Sequence, residues 1–71
     1  MEEKKSKLIG DKIKAWRKKR EITQDALAKK ANIPYTTLAK IESGVIKNPS
    51  IRTVMKIAGG LDVSLDSLVK N

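Results

Sequence analysis

The sequence predicts an all-α domain built from five short helices around one core. Apolar residues recur at spacings of three and four along most of the chain. No apolar/polar alternation is long enough for a strand, and neither Asn-Gly nor Asp-Gly occurs to close a hairpin. Residues suited to starting or stopping helices (Thr23, Asn32, Pro34, Gly44, Ser50 and Ser64) stand between the apolar stripes. At 71 residues, 39% of them hydrophobic, the chain can fill one small core and no second domain.

Leu8/Ile9, Ile13 and Trp16 form the first stripe, predicting a helix over about residues 7–20 with Lys12, Lys14, Lys18 and Lys19 on its other faces. Thr23 reads as an N-cap, with Ile22 before it as a staple and Asp25 in the first turn favouring the dipole. The second helix runs from about Gln24 to Ala31 and buries Leu27, Ala28 and Ala31, with Asn32 as a left-handed stop. Ile33 precedes Pro34 and is pushed toward extended backbone. The third helix starts at Pro34 or Tyr35, turns Leu38 and Ile41 inward, and stops at Gly44. After a loop from Val45 to Pro49, Ser50 caps a fourth helix with Ile51, Val54, Met55, Ala58 and Leu61 at helical spacing. Gly59-Gly60 weakens its last turn, each glycine costing up to about 1 kcal/mol relative to alanine. Ser64 caps a fifth helix using Leu65, Leu68 and Val69.

Only Asn32, Ile33 and Pro34 join helices two and three. So brief a link forbids a full antiparallel pairing and suits a steep crossing, the helix-turn-helix arrangement, over about residues 23–44. Ala28 falls where the two helices approach most closely, and Ile33 plugs the core between them. With Leu38 and Ile41 inside, geometry turns Tyr35, Thr36, Thr37 and Lys40 outward, with Ala39 between them. That is a hydrogen-bonding face on a rod of the right width for a DNA major groove.

Composition narrows the chemistry. The chain has no Cys and no His, which removes disulfides, thiolate zinc sites, cysteine nucleophiles, the commonest metal ligand and the commonest general base. No metal, cofactor or small-molecule ligand is expected, and no nucleophile–base pair supports an enzyme. No apolar run approaches the roughly 20 residues that span a bilayer. Met1 to Lys7 lacks the apolar stretch of a secretory signal. The expectation is a soluble, cytoplasmic domain.

Sixteen Lys and Arg against eight Asp and Glu give a formal charge of +8. The excess sits at the N-terminal end, where residues 1–20 hold nine basic and three acidic side chains, whereas residues 61–71 are slightly acidic. A cationic end that meets a polyanion fits this asymmetry; lysines that merely keep a small domain soluble fit it too. Residues 1–7 read as a basic tail and 8–70 as the folded domain.

The run from Thr23 to Gly44 resembles the Cro/cI-type (XRE-family) helix-turn-helix at Thr23, Gln24, Leu27, Ala28, Ala31, Ile33, Leu38, Ile41, Glu42 and Gly44. Asn48-Pro49-Ser50 and Val63-Ser64-Leu65-Asp66 are similar to further stretches of that family, so the likeness covers about residues 8–70. Asn32 departs from the usual glycine, Pro34 from a Ser or Thr cap, and Gly60 from a commoner alanine that would stiffen helix four. None of these touches the reading face. The resemblance implies a compact, lambda-repressor-like five-helix fold and a DNA-binding role.

The resemblance also implies roles for single residues. Gln24 would contact a DNA phosphate and brace the reading helix, and Lys47, Asn48 and Ser43 would add backbone contacts around the end of helix three. Arg17 and Glu42 would form a partly buried, structural ion pair between helices one and three. Thr23 is first a helix cap, beside N–H groups free for a phosphate. Lys40 could reach guanine O6/N7 or a phosphate, and Thr36 and Thr37 could offer hydroxyls or press methyls on thymine. The Tyr35 hydroxyl could approach DNA, or its ring could pack on the end of helix two. Trp16 on its apolar stripe reads as core rather than a stacking platform, which argues against single-stranded nucleic acid. Lys4, Lys5, Lys7 and Lys18 to Arg20 could attract phosphates without specificity or simply be solvated.

These readings converge on a sequence-specific, double-stranded-DNA-binding transcriptional regulator, a repressor acting by operator occupancy. One domain reads too few base pairs, so a homodimer on an inverted repeat is expected. Its surface would come from Leu61, Val63, Leu65 and Val69, unless these belong to the monomer core. The alternative is an antitoxin-like or adaptor protein-interaction module with secondary DNA binding. A cationic membrane-surface peptide would need an apolar face left open, whereas the five stripes serve a mutual core.

Overall fold

The computed structural model describes residues 8–69. The expected tail with Lys4, Lys5 and Lys7, and position 70 of the expected domain, lie outside the described residues. Five helices follow one another: α1 (Ile9–Lys19), α2 (Gln24–Ala31), α3 (Tyr35–Ser43), α4 (Ile51–Leu61) and α5 (Leu65–Val69). No strand occurs among the described residues, and no described helix is long and apolar enough to cross a membrane.

Ile13, Leu27, Leu38, Ile41, Ile57, Leu61 and Leu68 are wholly buried, so every helix supplies at least one side chain to a single core. Ala28, Ala31, Val54 and Ala58 fill the space between them, and Ile9, Trp16, Ile22, Ile33 and Ile46 close its edges. Burying each large side chain contributes about 1.5–3 kcal/mol, which five short helices need because none is stable alone in water.

The helix ends follow from local chemistry. Thr23 Oγ1 accepts from the Ala26 N–H at 3.1 Å and Ser50 Oγ from the Thr53 N–H at 3.2 Å, while Ser64 Oγ accepts from the Ser67 N–H at 3.3 Å. Asn32 ends α2 in the left-handed region at φ 59°, with the Ile33 N–H returning to the Ala28 carbonyl at 3.0 Å. Pro34 is the N-cap of α3 rather than its first residue. Its ψ of 140° is extended, and Tyr35 begins the helix. One stop has no sequence signal: α1 closes at Glu21, a non-glycine residue with φ 56°, through Ile22 N–H to Arg17 C=O at 3.1 Å.

The inner face of α4 differs from the expected stripe. Ile51 and Met55 are 59% and 57% exposed, and the buried set is Val54, Ile57, Ala58, Gly60 and Leu61. At about 100° per residue, Met55 lies roughly 120° round the helix from the middle of that set. On α5, Leu68 is buried and Leu65 half-buried, but Val69 faces outward. Trp16 is half-buried against the core as expected, its Nε1–H directed at the Ser67 carbonyl at 3.4 Å. Its ring also lies under Lys19 and Arg20, with their charged ends 5.1 and 5.5 Å from the ring centre.

Two glycines set how closely the helices pack. A Cβ on Gly10 would overlap the Ile41 carbonyl, so α1 runs directly on the α3 backbone. A Cβ on Gly60 would lie 2.9 Å from Leu27 Cδ1 and 3.2 Å from Ala31 Cβ, where α4 meets α2.

Candidate nucleic-acid interface

The turn between α2 and α3 fixes the orientation of the outer helix. Left-handed Asn32 reverses the chain, half-buried Ile33 anchors it, and extended Pro34 launches α3 in a new direction. Leu27, Ala28 and Ala31 on one side and Leu38 and Ile41 on the other lie in the common core, so both helices are packed into one unit.

Burial then divides α3 into two sides. Leu38, Ile41 and Glu42 are buried, whereas Tyr35, Thr36, Lys40 and Ser43 are exposed. Thr36, Lys40 and Ser43 are spaced four and three residues apart, one stripe along the helix. Thr37 and Ala39 flank it half-buried, so Thr37 stands less proud than the sequence implies. Tyr35 is 49% exposed. Among the described residues, no hydrogen bond engages the side chains of Tyr35, Thr36, Thr37 or Lys40.

The neighbouring polar groups differ in what they have left to give. Thr23 uses its oxygen as a cap acceptor, and its hydroxyl proton remains. Lys47 donates to the Gly44 carbonyl at 3.1 Å, which curls it over the end of α3 and leaves two ammonium protons. Asn48 is exposed beside it. Ser43 donates its single hydroxyl proton to the Lys40 carbonyl at 3.2 Å, so it closes the helix and can offer a phosphate no proton without breaking that bond.

Behind this surface lies the ion pair. Arg17 Nε donates to Glu42 Oε2 at 2.9 Å and Arg17 Nη2 to Oε1 at 3.0 Å, the two-point fork that guanidinium and carboxylate geometry favours. A third guanidinium nitrogen donates to the Ile22 carbonyl at 3.2 Å. Gln24 Nε2 donates to Glu42 Oε1 at 3.0 Å, so α1, α2 and α3 meet at one carboxylate. The resemblance implies both the Arg17–Glu42 pair and a Gln24 that braces the reading helix, without making Glu42 the point where Gln24 attaches. The third partner, 18 residues from Glu42, has no signal in spacing.

The expected dimer surface is only partly a surface. Leu61 is 1% exposed and belongs to the core, because its turn of α4 faces inward. Val63 and Leu65 are half-buried against that core, and Val69 alone of the four is exposed, at 51%. Val69 lines an open groove of about 290 Å³ together with Ile9, Lys12, Pro49 and Ile51. Ile51 lies outside the core that its helical spacing suggests; its four-residue spacing to exposed Met55 marks a second, outer apolar edge of α4.

Residues 13–68 match the helix-turn-helix family (HTH_3). This chain belongs to that family. Within it, the chain is 43% identical over 61 residues to the immunity repressor protein of Bacillus phage phi105, covering 86% of this chain and 42% of the repressor. It is 37% identical over 62 residues to the HTH-type transcriptional regulator SinR of Bacillus subtilis (strain 168), covering 87% of this chain and 56% of SinR. The chain thus spans about half the length of these curated relatives. The helix-turn-helix fold also superposes on a crystal structure of SinR, the master regulator for biofilm formation, in complex with DNA. The TM-score is 0.84 at 36% identity, with 89% of this chain and 100% of that one covered.

Proposed function

We propose that this chain is a sequence-specific, double-stranded-DNA-binding transcriptional regulator that represses by occupying its operator as a homodimer. The carrying observation is the outer face of α3, where the exposed side chains of Tyr35, Thr36 and Lys40 make no hydrogen bond among the described residues. In this reading α3 enters the major groove, where Tyr35, Thr36, Thr37 and Lys40 meet base edges. Thr23, Gln24, Lys47 and Asn48 hold phosphates and set the register. Ser43 is the weakest of the proposed phosphate contacts, because its proton is already used.

The charge of +8 supports a polyanionic partner. So does the likeness to SinR, a relative seen bound to DNA. A regulator of this kind acts in the cytoplasm, on the nucleoid. Two copies on half-sites about 34 Å apart would double the sequence read, and Val69 and Ile51 are among the exposed apolar side chains open to a second copy. Selection from random duplexes by the purified chain at two salt concentrations tests the reading. An inverted-repeat consensus, with affinity falling by about 0.9 log units per log salt for each neutralised phosphate, is expected. Equal, weak binding to every duplex would overturn it.

A further inference from the structure

Gln24 opens α2 and Glu42 sits next to the last residue of α3, yet a hydrogen bond joins their side chains. Glu42 Oε1 accepts from Gln24 Nε2 at 3.0 Å and from Arg17 Nη2 at 3.0 Å, while Oε2 accepts from Arg17 Nε at 2.9 Å. The Glu42 side chain is 2% exposed, so water does not replace a lost partner.

An ionised carboxylate only accepts hydrogen bonds. The end of the Gln24 amide that faces Glu42 is therefore its NH2 group, which removes the two-way ambiguity of a glutamine side chain. One N–H is spent on Glu42, and the other has no partner among the described residues. Half-buried Gln24 carries that second N–H on the first turn of α2, where the backbone N–H groups also lack partners within the helix. A free glutamine would have to be ordered on binding, which costs a rotamer-rich side chain a factor of about 2 to 12 in affinity. Here the ordering is done in the folded protein.

We propose that Glu42 is a positioning residue for DNA binding: held by Arg17, it fixes the Gln24 amide so that its second N–H is ready for a phosphate oxygen. The Arg17–Glu42 pair then has a role beyond joining two helices. The inference rests on the reading of Gln24 as a phosphate contact, and the test separates the two.

Affinity for the selected duplex is measured for Gln24→Ala, Glu42→Gln and the double variant, at a temperature where circular dichroism shows each one folded. Gln24→Ala should weaken binding about tenfold or more, as for a hydrogen bond to a charged group. Glu42→Gln leaves one acceptor oxygen for Arg17 and Gln24 to share; it should weaken binding about 2- to 12-fold by loosening the Gln24 amide, and should add nothing once Gln24 is alanine. A merely structural Glu42 would weaken binding whether or not Gln24 is present, and multiplying losses would overturn the inference alone. An unchanged affinity for Gln24→Ala would overturn the phosphate reading and the inference with it. Should Glu42→Gln fail to fold, the side-chain amide of Gln24 in the unaltered protein decides by nuclear magnetic resonance. One of its protons should be protected from exchange in the free protein, and both in the complex with duplex. Two freely exchanging protons in the free protein would overturn the inference.

Discussion

Gly60 of α4 packs against Leu27 of α2 so closely that a methyl group at Gly60 would stand 2.9 Å from Leu27 Cδ1. The glycine that weakens helix four in isolation is thus what lets two helices of the core meet. Gly59 beside it has nothing within 4 Å of the same added atom and ordinary helical backbone. Neighbouring glycines in one turn therefore serve opposite ends. Gly59→Ala should stabilise the fold by about 0.5–1 kcal/mol through helix propensity. Gly60→Ala should destabilise it by about 1–3 kcal/mol through overpacking. Urea unfolding of both variants checks this, and equal signs would refute the packing role of Gly60.

The Arg17–Glu42 pair should show the asymmetry of a buried charge. Arg17→Met leaves the Glu42 carboxylate buried with only Gln24 beside it, at a cost of about 3–5 kcal/mol. Replacing both, as Arg17→Met with Glu42→Leu, should cost less than the single change. Chemical denaturation of the two variants compares them; a double variant less stable than the single one would count against a stranded charge.

Glu21 holds a left-handed conformation that glycine adopts without strain, at the negative end of the α1 dipole. Glu21→Gly should therefore stabilise the domain by about 0.5–1 kcal/mol, despite the greater freedom of glycine in the unfolded chain. Thermal unfolding should show a midpoint higher by about 2–8 °C. A lower midpoint would mean that Glu21 makes a contact worth more than its strain.

Lys40 and Lys47 should fail in different ways on DNA. Lys47→Ala should weaken all duplexes alike and reduce the salt slope by about 0.9, since a point charge on a phosphate carries no sequence information. Lys40→Ala should cost about 1–3 kcal/mol of discrimination at one position of the half-site. Binding to a set of single-base-pair operator variants distinguishes these outcomes. A uniform loss for Lys40→Ala would move that residue to the phosphate group.

Local chemistry made most of the fold legible in the sequence. The period of the apolar stripes, the capping oxygens of Thr23, Ser50 and Ser64, and left-handed Asn32 all act within a few residues. They placed α2 from Gln24 to Ala31 and the outer face of α3 without reference to anything distant. Which edge of a wide apolar stripe is covered depends instead on the neighbouring helices. That is why Ile51 and Met55 lie outside, and why Leu61 lies within and Val69 outside where the sequence leaves both open between core and dimer surface. The same holds for Gly60, whose worth is set by Leu27 and Ala31 on another helix, and for the bond from Gln24 to Glu42, which the expected Arg17–Glu42 pair does not by itself imply. Contacts between residues far apart in the chain leave no periodic mark along it, so the apolar pattern alone does not determine them; the packed arrangement of helices does.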